Sequence, residues 1–343
     1  MNREAKFKDS GLAYLLCFIF IIGVSAILTW IISYIASAEG VQAEDVSNRE
    51  WVLYLNYFLS EFVFILTFLV IILVTKNKNF KNSYKLNFKF NFKIFLSVVI
   101  LGFIVMLCSL NLTNAINIGF SYISPLPLTN DVGISINNFW KFLLSVVFLA
   151  LLPSLCEEII FRGIIYNGLR KKFSLLMSVT LSSIMFMLIH LSIYKSFYQI
   201  VLGVILALLV YFTGTIFYGV IFHFANNFSI VLFNYVFGNK SIFEFTQFGV
   251  REVILSVLIF LAGFAIMFLF FKVLCSYTKK HKNYFRLEDN CNPLENYNLN
   301  ENNLSYEDKL IINDKRNEGI GAFFVSIAIA IILWSFASFG GFI

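Results

Sequence analysis

The chain has 343 residues, of which 59% are hydrophobic and only 13% charged, and its mean hydropathy is +0.80. A soluble domain carries about twice that charged share, so a water-soluble globule is excluded. The net charge of +6 is no nucleic-acid signal, because the lysines lie in connections between apolar runs, where positive charge marks the cytoplasmic side of a membrane.

A helix needs about 20 apolar residues to cross a bilayer. By that rule the sequence predicts about nine spans, at 11–36, 52–75, 95–117, 139–162, 174–193, 197–212, 216–237, 252–276 and 320–341. The expected fold is an all-α polytopic membrane protein. The first run, Leu12–Ala36, is of spanning length without an obvious small-residue cleavage site, so no cleavable signal peptide is expected. Basic clusters stand at Arg3, Lys6 and Lys8, along Lys76–Lys93, at Arg170, Lys171 and Lys172, and at Lys279, Lys280 and Lys282. Nine spans put all four on one side, with the acidic Glu39, Glu44, Asp45 and Glu50 on the other, which predicts a cytoplasmic N-terminus.

The chain divides into N-terminal spans with a basic loop (1–138), a core of four consecutive helices (139–237), and C-terminal spans (238–343) containing a polar cytoplasmic loop at 283–318. Thr213-Gly214-Thr215 is a polar break of the kind that joins two spans. The five cysteines are scattered without Cys-x-x-Cys spacing and read as small apolar packers. Cys156 touches the acidic motif, but a neighbouring carboxylate works against a nucleophilic thiolate.

Chemistry concentrates in Pro153-Ser154-Leu155-Cys156-Glu157-Glu158-Ile159-Ile160-Phe161-Arg162-Gly163. An ionised side chain at mid-bilayer costs roughly 2.5–3.5 kcal/mol on insertion scales, so three together require a strong reason. Glu158 and Arg162 are i,i+4 neighbours able to pair, while Glu157 lies about 100° round the helix and is left as a proton acceptor. Pro153 has no N–H for the carbonyl of Leu149, so a bend is expected one turn before the glutamates. The bland alternative is a charge network that only locks helices together. His190 and His223 fall in later spans, and two intramembrane histidines after such a motif point to a site. Phe186, one turn before His190, is placed to fix the imidazole rotamer. His223 and Asn227 share a face at i,i+4 as a pair of donors for an oxyanion, with Asn226 at i+3 as the rival partner.

These residues resemble the CPBP family of CAAX proteases and bacteriocin-processing or immunity proteins. Glu157-Glu158-x-x-x-Arg162, Phe186-x-x-x-His190 and His223-x-x-x-Asn227 match its three motifs in order, over about 140–235. The resemblance implies an intramembrane endopeptidase with Glu157 as general base and His190 orienting the water. It further implies that His223 and Asn227 stabilise the oxyanion, while Glu158, Arg162 and Phe186 support the site. A carboxylate in an apolar cavity is a stronger base than in water, which suits the role. Metal-free catalysis is favoured because His-Glu-x-x-His is absent. The alternative is a zinc site of Glu157, His190 and His223.

The expected partners are a peptide or membrane-protein substrate and the lipid bilayer, with no nucleic acid and an oligomeric state left open. The Phe, Ile, Lys and Asn bias resembles that of A+T-rich bacteria, so a bacterial cell membrane and peptide processing or bacteriocin immunity are expected. Two rivals remain: a non-catalytic immunity or scaffold protein of the same fold, and a proton-coupled transporter, for which no inverted repeat is seen. Glu61, in the second span, is a further membrane carboxylate without a motif and is left unassigned. Counting rises from the basic cluster at 170–172 puts His190 deeper than Glu157 by on the order of 5–10 Å. A kink or a later start of the fifth span would absorb that difference.

Overall fold

The structure, a computed structural model, describes residues 6–121, 134–238, 249–281 and 319–339. The polar loop expected at 283–318 and the last residues of the ninth span lie outside the described residues. Among those described, every regular element is a helix.

The helices are α1 (Phe7–Glu39), the short α2 (Ala43–Ser47), α3 (Glu50–Thr75), the short α4 (Phe80–Ser83) and α5 (Phe92–Ser121). They continue with α6 (Phe139–Leu169), α7 (Leu175–Ile189), α8 (Ile193–Thr213) and α9 (Phe217–Phe237). The series ends with α10 (Val250–Lys280) and α11 (Ile320–Phe339). Eight are long and apolar enough to cross a membrane. The chain is therefore a multi-pass, all-α membrane protein.

The difference from the expected nine lies in α7, which has only 15 residues and at 1.5 Å per residue reaches about 22 Å. The apolar sequence runs on to Ile193, but the helix stops at His190 because Leu191 adopts φ +47°. That left-handed conformation is unusual for a bulky residue and ends the helical ladder. It also eases the depth mismatch. Glu157 stands 12 residues from the end of α6 at Leu169, and His190 15 residues from the start of α7 at Leu175. By rise alone the two differ by only about 4–5 Å.

Lipid-facing sides are apolar, as Ile254, Leu258, Leu261 and Phe268 on α10 illustrate. With no hydrophobic drive between helices in lipid, close packing and hydrogen bonds hold the bundle together. The central helix α6 is clamped by α1. Tyr14, fully buried, donates its hydroxyl to the carbonyl of Met185 on α7 (2.8 Å), and Ser10 donates to the carbonyl of Ile165 on α6 (3.1 Å). Phe161 anchors a ring cluster with Tyr14, Phe64 and Phe186 at centroid distances of 6.3, 6.1 and 5.1 Å. On the other side α5 packs against α9 and α10.

Around Pro153 helix α6 departs from regular α-helical geometry. It widens into a π-helical turn at Val146–Leu151, where Leu152 donates its N–H to Val147, and again at Ile159–Tyr166. Pro153 brings no N–H to this part of the ladder, which favours a looser turn just before it. Such bulges are frequent at functional sites because they re-aim side chains. The two widened turns bracket Glu157 and Glu158. The break between α8 and α9 is the predicted one: Gly214 takes φ +66° and caps α8 through the carbonyl of Val210 (2.9 Å). Thr215 then donates to the carbonyl of Asn87 (2.6 Å), tying the break to the basic loop.

Candidate active site

Three helices, α6, α7 and α9, carry the seven motif residues, and α8 closes behind them. Glu158 is fully buried, and one oxygen, Oε1, meets two cationic or donor groups. Arg162 Nη1 lies 3.1 Å away and His223 Nδ1 also 3.1 Å. Arg162, 1% exposed, sends its other arm toward the carbonyl of Gly203 (3.4 Å) and lies over the Phe186 ring at 4.3 Å. Isolated burial of such a charge is prohibitive, so ion pair, carbonyl and ring face together are what make it tolerable. The i,i+4 pairing expected of Glu158 and Arg162 is present, with His223 added to it.

Two glycines allow the helices this close. A Cβ on Gly219 would come within 3.0 Å of Glu158 Oε2, and one on Gly203 within 2.8 Å of the Ser183 backbone. Gly219 sits one turn before His223, so its missing side chain is what lets the Glu158 carboxylate reach the imidazole.

Glu157 faces elsewhere. It is 6% exposed, and its Oε2 has no hydrogen-bond partner within the protein. His223 Nε2 is turned toward it at 4.0 Å. Glu157 lies within electrostatic reach of His223, Glu158, Arg162 and Lys195. Lys195, exposed in the first turn of α8, went unremarked in the sequence because a lysine near a span end is ordinary.

His190 closes α7, and its Nδ1 lies 2.7 Å from the carbonyl of Phe186. A carbonyl only accepts, so Nδ1 carries the hydrogen and Nε2 of the neutral ring holds the lone pair. Phe186 fixes both imidazoles edge to face, at 4.9 Å from His190 and 6.1 Å from His223. His190 lies within electrostatic reach of His223, Arg162 and Lys195. His223 is thus an imidazole within 4.0 Å of Glu157, in addition to the His190 that the family resemblance assigned to orienting the water.

Asn226 and Asn227 separate clearly. Asn226 is fully buried and bound by Tyr198, whose hydroxyl lies 2.7 Å from Nδ2 and 3.0 Å from Oδ1. Asn226 donates to Asn227 Oδ1 (3.3 Å). Asn227, half-buried and on the His223 face of α9, therefore has its carbonyl end held and its amide N–H groups turned away from Asn226. Nothing in the sequence singled out Tyr198 among sixteen tyrosines.

Among the described residues, no three His, Cys, Asp or Glu side chains are gathered closely enough to hold a metal ion. Glu157, His190 and His223 do not form one coordination set in this geometry.

Residues 139–229 match the family model described as Rce1-like, type II CAAX prenyl endopeptidase. The match starts at the first residue of α6 and ends inside α9, so it spans every motif residue and about a quarter of the chain. No curated protein and no solved structure matches this chain.

Proposed function

We propose that this Rce1-like stretch makes the chain an intramembrane endopeptidase that hydrolyses a peptide bond of a membrane-associated protein or peptide. What carries the reading is the division of labour between the adjacent carboxylates. Glu158 Oε1 is shared by Arg162 and His223 Nδ1 and its Oε2 lies against Gly219, whereas the unpartnered Oε2 of Glu157 faces His223 Nε2 at 4.0 Å.

A water oxygen about 2.8 Å from both Glu157 Oε2 and His223 Nε2 would subtend roughly 90° across their 4.0 Å separation, an acceptable hydrogen-bonding geometry. Glu157 takes a proton from that water as its oxygen adds to the scissile carbonyl, and the carbonyl electron pair moves onto oxygen. His190, with its lone pair at Nε2, accepts the water's second hydrogen, and His223 Nε2–H, in the protonated imidazole, is the donor toward that water. Asn227 Nδ2 and, in its protonated form, His223 Nε2–H donate to the oxyanion. On collapse the C–N bond breaks and Glu157 returns the proton to the leaving amine. Glu158 and Arg162 act through His223, holding its ring and the position of the Nδ1 hydrogen, as a buried carboxylate does in other acid–base sites.

The substrate class favoured is a short peptide or peptide precursor at a bacterial membrane, in maturation or self-immunity. Digestion of a peptide library in ¹⁸O-labelled water by the purified protein tests the hydrolysis. Wild type should yield new C-termini bearing the label, and Glu157→Gln should yield none. Equal labelling by both proteins would remove Glu157 from the chemistry. If neither protein yields products while the Glu157→Gln chain keeps its cellular phenotype, the non-catalytic reading gains.

A further inference from the structure

Glu61 belongs to no motif, yet α3 delivers it to the catalytic carboxylate. Helices α3 and α6 run in the same direction, as their contacts show. The Tyr54 hydroxyl lies 3.2 Å from Ser145 Oγ, the Tyr54 and Phe58 rings lie 5.6 and 6.4 Å from Phe148, and Phe64 meets Phe161 at 6.1 Å. One turn back from the Phe64–Phe161 contact stand Glu61 on α3 and Glu157 on α6. The register therefore faces the two carboxylates across the helix interface.

The surroundings of Glu61 do not suit an ion. It is 7% exposed and continues the buried stripe of Phe64, Thr67, Ile71 and Thr75. Its Oε2 is buried without a hydrogen-bond partner, as is Glu157 Oε2. A residue that merely coupled helices would find a donor on its neighbour, and none meets this oxygen. Among the described residues no ion pair is formed at Glu61, whereas Glu157, although adjacent to the anionic Glu158, has His223 Nε2 at 4.0 Å and Glu158 is itself paired with Arg162. Two facing carboxylates in a low dielectric hold a proton between them, and the cations decide on which one the negative charge rests.

We infer that Glu61 is a positioning residue of the catalytic site: a neutral carboxylic acid that keeps the proton of a Glu61–Glu157 pair, so that Glu157 is the ionised base, and that turns its O–H toward Glu157. The inference rests on the endopeptidase reading for its purpose, but the proton's location is independent of turnover.

Infrared spectroscopy of the purified full-length chain in detergent at pH 7 reads the carbonyl stretch of a neutral carboxyl group without any substrate. Wild type should show such a band. Glu61→Gln should lose it, Glu61→Asp should keep it at a shifted frequency, and Glu157→Gln should keep it because Glu61 is the holder. A wild type without the band, or a band unchanged by both Glu61 variants, overturns the inference. Kinetics give a second readout. An amide at position 61 retains an N–H donor toward Glu157, so Glu61→Gln should hold kcat within about threefold. Glu61→Leu should lower it about tenfold or more at constant KM, as expected for losing a hydrogen bond to a charged group. Equal losses in the two variants would mark a purely structural role and count against it. Absence of cleavage in wild type would strike the endopeptidase reading alone, since the band stands or falls without it.

Discussion

Removing Arg162 should destabilise the chain far more than removing Arg162 and the Glu158 charge together. In the Arg162→Met chain, the fully buried Glu158 carboxylate keeps only His223 at 3.1 Å and loses the guanidinium at the same distance. The Phe186 face also loses a cation 4.3 Å from its centroid. Breaking a buried pair from one side costs about 3–5 kcal/mol, because a charge is left behind without compensation. Glu158→Gln alone should cost a similar amount by stranding Arg162. The double variant Glu158→Gln, Arg162→Met strands no charge, and the carbonyl of its introduced amide still accepts from His223 Nδ1–H. It should lose only about 1–2 kcal/mol, mostly the difference between a neutral and a charge-assisted hydrogen bond. The coupling between the two positions is therefore about 4–9 kcal/mol, opposite in sign to the single effects. Reversible unfolding in mixed micelles, followed by circular dichroism, measures all four proteins. A double variant no more stable than Arg162→Met, or an Arg162→Met loss below about 1 kcal/mol, would refute the claim that this buried pair secures the site.

Gly219→Ala would put a Cβ 3.0 Å from Glu158 Oε2, and since that carboxylate is held by Arg162 and His223 it has little room to retreat. The expected cost is about 1–3 kcal/mol of stability from overpacking, with a larger proportional fall in kcat because His223 is displaced; unfolding and cleavage assays on one preparation separate the two. Tyr198→Phe removes the hydroxyl that holds Asn226, and through it Asn227. It should cost about 1–3 kcal/mol for the unpaired buried amide and lower kcat rather than raise KM, and unchanged kinetics would detach Asn227 from the oxyanion.

The parts of this site that were legible in the sequence share one property: ionisable residues cannot sit inside an apolar span unnoticed. Glu157, Glu158, Arg162, His190 and His223 stand out on that ground, and helical spacing correctly paired Glu158 with Arg162 and Phe186 with His190. The two asparagines could not be separated from the sequence, because what distinguishes them is Tyr198, 28 residues from Asn226 and on another helix. Glu61 was visible but mute: its meaning depends on the register of α3 against a helix carrying two π-helical turns, which periodicity at 3.6 residues does not foresee. The end of the fifth predicted span was less legible for a similar reason. Hydropathy follows apolar residues, and these continue past His190, while the backbone turns at Leu191.

The central claim is that Glu157 performs the chemistry as a base. The most direct test is metal content and cleavage rate on one purified sample, wild type beside Glu157→Gln, against a quenched peptide library in detergent. The account predicts cleavage by wild type that survives chelation and carries no stoichiometric zinc, and a fall of about 10²–10⁴-fold in the variant, the usual contribution of a general base. Cleavage that follows bound zinc, or that Glu157→Gln leaves intact, would contradict it.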